Sequence, residues 1–134
     1  MPRTPLCFAI LATIAVAAPV AAQNNVCPTG DPALLRISKI KPGGSMAGLA
    51  KAVADHSKWY ADHGFTADRQ VIAPVLVPGP QGPHVASDQV MTLHLHAHNV
   101  PQNQHDAGWD AFVAEYRANS EVVSEMMVCL PPIN

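Results

Sequence analysis

The stretch Gln89-Val90-Met91-Thr92-Leu93-His94-Leu95-His96-Ala97-His98 decides how this chain is read. Met91, Leu93, Leu95 and Ala97 alternate with Val90, Thr92, His94, His96 and His98. A period of two is that of a β-strand, whose successive side chains point to opposite faces. One side is apolar and the other mostly polar, the pattern of a sheet covered on one face only. The expectation is that the apolar side packs under helices and that His94, His96 and His98 share the uncovered side.

Working outward, Gln70 to Val77 is rich in Val and Ile and reads as a second strand. Pro74 lies inside it and cannot donate to a ladder, which puts the strand at a sheet edge or at a bulge. Pro78-Gly79-Pro80-Gln81-Gly82-Pro83 is a loop. Leu34 to Ile40 is an earlier strand, in which Leu35 and Ile37 alternate with Arg36 and Ser38. After Lys41-Pro42-Gly43-Gly44, Ser45 can cap a helix from Met46 to about His63, carrying Met46, Leu49, Val53 and Tyr60 near one stripe. Gly64 follows as a left-handed C-terminal residue, with Phe65 packing back on the last turn. Asp106 can cap a second helix, with Trp109, Phe112, Val113 and Tyr116 at i, i+3, i+4 and i+7. Val122 to Glu125 is ambiguous, and Met126 to Leu130 reads as a short last strand.

The order is thus β-α-β-β-α-β, the ferredoxin-like arrangement: an α+β fold with a four-stranded antiparallel sheet and two helices on one face. Its strand order, 4-1-3-2, puts the Pro74 strand at an edge and the last strand beside the first. Cys27 and Cys129 then fall close together and are expected to form a disulfide.

Charge and export signals bound the function. The chain has 134 residues, 13% of them charged, and a formal net charge of -2 with no basic run. A general nucleic-acid binder carries a basic patch, so that class is disfavoured. Arg3 precedes an apolar run from Leu6 to Ala18, and Val20-Ala21-Ala22 ends in a small-x-small cleavage pattern. Residues 1–22 are read as a signal peptide, 23–33 as a turn-rich lead-in and 34–134 as the folded domain. The apolar run is too short to span a bilayer, so the mature chain from Gln23 is expected to be periplasmic or secreted, with no membrane attachment. Such compartments are oxidising, which favours the disulfide over free thiols.

The strand exit Ile37-Ser38-Lys39-Ile40-Lys41-Pro42-Gly43, the helix from Met46 to Gly64, the histidine-bearing strand and the Trp109–Tyr116 helix resemble the dimeric α+β barrel superfamily, over roughly residues 34 to 130. In flavour they are similar to its antibiotic-biosynthesis-monooxygenase-like and NIPSNAP-like branches. The resemblance implies a homodimer whose sheets pair through their open faces. It also implies a small-molecule pocket between sheet and helices or inside the barrel. Activities in the superfamily include cofactor-free oxygenation, cyclisation, isomerisation and haem chemistry.

Three chemistries suit the histidines. Imidazole exchanges protons near neutral pH, so His96, central in the trio, is expected as the acid–base residue of a cofactor-independent monooxygenase, lyase or cyclase. His94 and His98 would position substrate or water. Arg36 would hold an anionic group by a charged fork, with Ser38 on the same side of the strand, and Tyr60 or Trp59 would form an aromatic wall. Alternatively His94 and His96, about 6 to 7 Å apart on a regular strand, would share zinc or copper, or one imidazole would ligate haem. A third ligand would come from His56, His63, His84 or His105. The remaining reading is a non-catalytic binding module. His56 and His63 are read as helix-boundary residues beside Trp59 and Tyr60.

Overall fold

The computed structural model describes Cys27 and residues 30 to 131. The expected signal peptide, residues 1–22, and most of the expected lead-in therefore lie outside the described residues. The elements are β1 (Asp31–Ile40), α1 (Met46–Asp62), β2 (Arg69–Val77), β3 (His84–Leu95), a short 3-10 turn (Gln102–Gln104), α2 (Ala107–Asn119) and β4 (Ser120–Leu130). They form one antiparallel four-stranded sheet of order β2-β3-β1-β4 with two helices, the expected ferredoxin-like arrangement.

Local chemistry sets most boundaries as expected. The Ser45 hydroxyl accepts from the Gly48 backbone N–H at 2.9 Å, and Asp106 accepts from that of Trp109 at 2.9 Å, so each helix has its side-chain cap. Gly64 takes φ 87°, the left-handed conformation that ends α1, and the Phe65 N–H returns to the Tyr60 carbonyl. Pro74 sits on edge strand β2, where the β2–β3 register shifts between Pro74 and Leu76. Cys27 and Cys129 stand at disulfide distance, with Cα atoms 5.5 Å apart and a sequence separation of 102.

Three boundaries differ from expectation. β1 begins at Asp31, because residues 31 to 33 pair with Leu130, Cys129 and Val128. β4 begins at Ser120 and takes in the ambiguous Val122–Glu125, which pairs with β1 across a bulge at Ile37/Ser38. β3 starts at His84 and stops at Leu95, because the backbone turns at His96 with φ 53°. The His-x-His-x-His alternation therefore runs on beyond the strand that gave it meaning.

The larger correction concerns which side of the sheet the helices cover. Residues directly opposite in antiparallel strands share a face. One face carries the rows Gln70–His94–Leu34–Met127, Ile72–Thr92–Arg36–Glu125 and Pro74–Val90–Ser38–Val122. Val90, Thr92, His94 and Ser38 are buried on it, and the rings of His56 and Tyr60 on α1 stand over His94. The helices thus cover the polar side of β3. The other face carries Val71–Leu93–Leu35–Met126 and Ala73–Met91–Ile37–Ser124. The grouping of Arg36 and Ser38 with the His94 side is as expected; the relation of that side to the helices is reversed.

The core under the helices is aromatic. Trp59, Tyr60, Val100 and Phe112 are buried together, with Phe65, Trp109, Val113 and Tyr116 packed against them. The two helix ends are tied by Asp106, which accepts from the Trp59 indole N–H at 2.7 Å and meets His63 Nε2 at 3.1 Å. The Trp109 backbone N–H and then the Trp59 indole N–H hold its carboxyl below the usual range.

Candidate functional site

Between the polar face of the sheet and the two helices lies a cavity of about 710 Å³, a volume suited to a small organic ligand. Its sheet side is formed by Leu34, Arg36, Ser38, Thr92 and His94, and its helix side by His56, Tyr60, Trp109, Phe112, Val113 and Tyr116. His98, Asn99, Val100 and His105 close one end, and Arg117, Ser120, Val122 and Glu125 the other.

The polar centre of this site is a residue the sequence reading did not single out. Asp68 precedes β2, and its carboxylate is only 2% exposed. One oxygen meets His94 Nε2 at 3.0 Å and the His98 backbone N–H at 3.0 Å; the other meets His98 Nδ1 at 2.5 Å. An ionised carboxylate only accepts, so each facing ring nitrogen carries the proton. That assignment leaves His94 Nδ1 and His98 Nε2 as the basic nitrogens. Asp68 thereby fixes tautomer and orientation for two imidazoles at once, as a carboxylate does in a catalytic His–Asp pair.

The two imidazoles differ in surroundings. His94 is 5% exposed, and burial lowers its proton affinity against the opposing pull of Asp68. The His98 side chain is 51% exposed, lies beside Phe65 with ring centroids 4.8 Å apart, and borders the cavity. His98 thus combines a fixed Nδ1–H with an Nε2 that has no protein partner among the described residues.

His56, expected at a boundary, is 7% exposed. Its ring stacks on Phe112 at 4.5 Å and meets His94 edge-on at 5.0 Å. Its Nδ1 lies 3.3 Å from the Tyr116 hydroxyl, and its Nε2 is buried without a hydrogen-bond partner. Burial first, then the neighbouring His94 and Arg36, push its pKa down to about 3, so it is neutral at physiological pH. Tyr60 donates to the His98 carbonyl at 3.2 Å, and burial with the Asp68 charge pushes its pKa up to about 12. Burial likewise raises the Tyr116 hydroxyl.

The expected site residues divide accordingly. Arg36, Ser38, Tyr60, His94 and His98 come together around the cavity. His96 does not. It is exposed at the turn after β3 and is absent from the cavity wall, so its central place in the trio gives it no access to the site. The same turn removes the regular strand spacing on which a shared His94–His96 metal site depended. Of the candidate third ligands, His105 stacks on Trp109 at 3.8 Å, His63 on Trp59 at 3.9 Å, and His84 is exposed at the start of β3. Among the described residues no group of three or more His, Cys, Asp or Glu side chains converges so as to hold a metal ion.

No family model, no curated protein and no solved structure matches this chain.

Proposed function

We propose that this chain is an exported small-molecule enzyme of the dimeric α+β barrel kind. Its chemistry is cofactor-independent acid–base catalysis, of the monooxygenase, lyase or cyclase type, in the cavity between sheet and helices. The observation that carries the reading is the buried Asp68 carboxylate holding His98 through Nδ1, with Nε2 unpartnered among the described residues and His98 bordering a cavity lined by aromatic rings. A tautomer-fixed imidazole that can exchange its other proton with a bound molecule is the equipment of a general base. His94, on the same carboxylate, and the Tyr60 hydroxyl shape the polar end, so Asp68 and His94 act as positioning residues.

Two further parts of the proposal have separate support. Export to the periplasm or beyond is supported by the Arg3, Leu6–Ala18 and Ala22 pattern together with the Cys27–Cys129 pair. Pairing with a second copy is supported by the apolar, helix-free face built on Leu35, Ile37, Met91 and Leu93. An extended apolar sheet face is costly to leave in water.

The test begins with mature, oxidised protein incubated with a panel of small phenols, aromatic acids and lactones, each followed by mass spectrometry. For any compound consumed, His98→Gln is expected to lower kcat by roughly 10²- to 10⁴-fold while circular dichroism is unchanged. His96→Gln is expected to leave kcat within about twofold, since an exposed residue outside the cavity has no proton to exchange there. Full turnover by the His98 variant would remove that residue from the mechanism.

A further inference from the structure

The end of the cavity away from His98 carries a charge whose partner is supplied by the chain itself. Arg36 and Glu125 are cross-strand neighbours on the helix-covered face, and both border the cavity. Arg36 Nε meets Glu125 Oε2 at 2.6 Å, with the two side chains 34% and 51% exposed. A pair this open to solvent contributes little to folding. It occupies only part of a guanidinium fork whose planar geometry is matched to carboxylates.

The field inside the cavity is correspondingly uneven. The positive charge of Arg36 acts at His56, Tyr60, His94 and Tyr116. Asp68 opposes Arg36 at His56, Tyr60 and His94. One part of the cavity wall carries a carboxylate with two imidazoles, and another carries the Arg36–Glu125 pair. Trp109, Phe112 and Tyr116 line the same cavity.

We infer that the ligand is a flat aromatic monocarboxylate whose acid group replaces Glu125 on Arg36, which directs the opposite end of the molecule to His98. Glu125 is then a specificity-determining residue: it satisfies Arg36 in the empty protein and yields to a ligand that brings its own carboxylate. A monoanion suits a site where one guanidinium is to be neutralised, and the aromatic walls favour a planar body. The inference rests on the cavity being the small-molecule site proposed above.

Calorimetric titration of the mature protein with 2-naphthoate and with its uncharged isostere 2-naphthamide separates the two ideas. The carboxylate is expected to bind more tightly than the amide. Arg36→Met is expected to weaken naphthoate roughly 10- to 100-fold and to leave naphthamide unchanged. Glu125→Gln removes the internal competitor and is expected to strengthen naphthoate about two- to fivefold. Equal affinity of the two probes for the unaltered protein, or weaker naphthoate binding by Glu125→Gln, would overturn the inference and leave the cavity as a ligand site. Binding of neither probe at about 1 mM would overturn both the inference and the cavity reading beneath it.

Discussion

The two faces of this sheet are built on opposite principles. The face under the helices holds an arginine, a serine, a threonine and a histidine, and above them a buried carboxylate and a second buried imidazole. The face without helices is apolar at its centre, with Leu35, Ile37, Met91, Leu93 and Val71, and carries Lys39, Gln89 and Arg69 toward its ends. A sheet that only needed to fold would do the reverse, packing its apolar side under the helices and wetting the polar one. The inversion puts a cavity as well as a core under the helix layer. It also leaves the apolar side in want of a cover, since burial of apolar surface is the main favourable term in association as in folding.

The sharpest way to break this contrast is to charge the apolar side. Leu93 lies at its centre, between Val71 on β2 and Leu35 on β1. Under the proposed pairing with a second copy, Leu93→Lys buries an unpaired ammonium, and a two-fold interface repeats the substitution on both partners. At about 3 kcal/mol or more for each uncompensated buried charge, dimerisation should weaken by about 6 kcal/mol. Sedimentation equilibrium should find the parent chain dimeric and Leu93→Lys monomeric with its circular dichroism preserved. A monomeric parent at micromolar concentration would show that this face is covered by something else or not at all.

The polar side should fail differently, by local destabilisation. Asp68→Ala leaves the inward N–H groups of His94 and His98 without their acceptor. Each stranded donor costs about 1 to 3 kcal/mol, less where water reaches it, so unfolding free energy should fall by about 3 kcal/mol in urea titrations. The half-exposed His98 can recover a water partner, and the buried His94 cannot. A loss below about 0.5 kcal/mol would mean that Asp68 is not the organising group of the cavity.

These two substitutions also mark what the sequence could and could not tell. The helices were legible because their signals are local: Ser45 and Asp106 cap, Gly64 stops, and the aromatic stripes repeat at helical spacing. The strand order was legible because the ferredoxin-like order puts the Pro74 strand at an edge, where a missing donor is tolerated, and brings the two cysteines together at the ends of β1 and β4. Alternation in β3 shows that the strand has two sides and is silent about which one the helices take. His94 and His98 looked like members of a regular trio because nothing in the letters marks the left-handed turn at His96. Asp68 was invisible because its role arises from pairing, in which Gln70 of β2 faces His94 and so brings the residue two places earlier beside that imidazole. Arg36 and Ser38 were grouped with His94 by residue type and strand face, which survive an error about what covers the face.

A pH titration tests the polar side without touching the apolar one. His56 is enclosed by Tyr60 on its own helix, His94 on β3 and Phe112, Trp109 and Tyr116 on α2, with the charges of Arg36 and, opposing it, Asp68 near enough to act. Its folded pKa of about 3 lies below the ordinary value of 6.5, so between these values the unfolded chain binds a proton that the native chain refuses. Stability from this residue is therefore complete above about pH 6.5 and is lost as pH falls toward 3, at up to about 1.4 kcal/mol per pH unit. The buried His94, whose proton affinity is also lowered, adds a contribution of the same sign. His56→Phe can keep the stack on Phe112 while removing the titrating group, and should flatten the decline between pH 6 and 4 by about one proton's worth. An unchanged slope in that variant would show that His56 takes up its proton in the native state, and hence that water reaches the helix-covered face more freely than its buried rings imply.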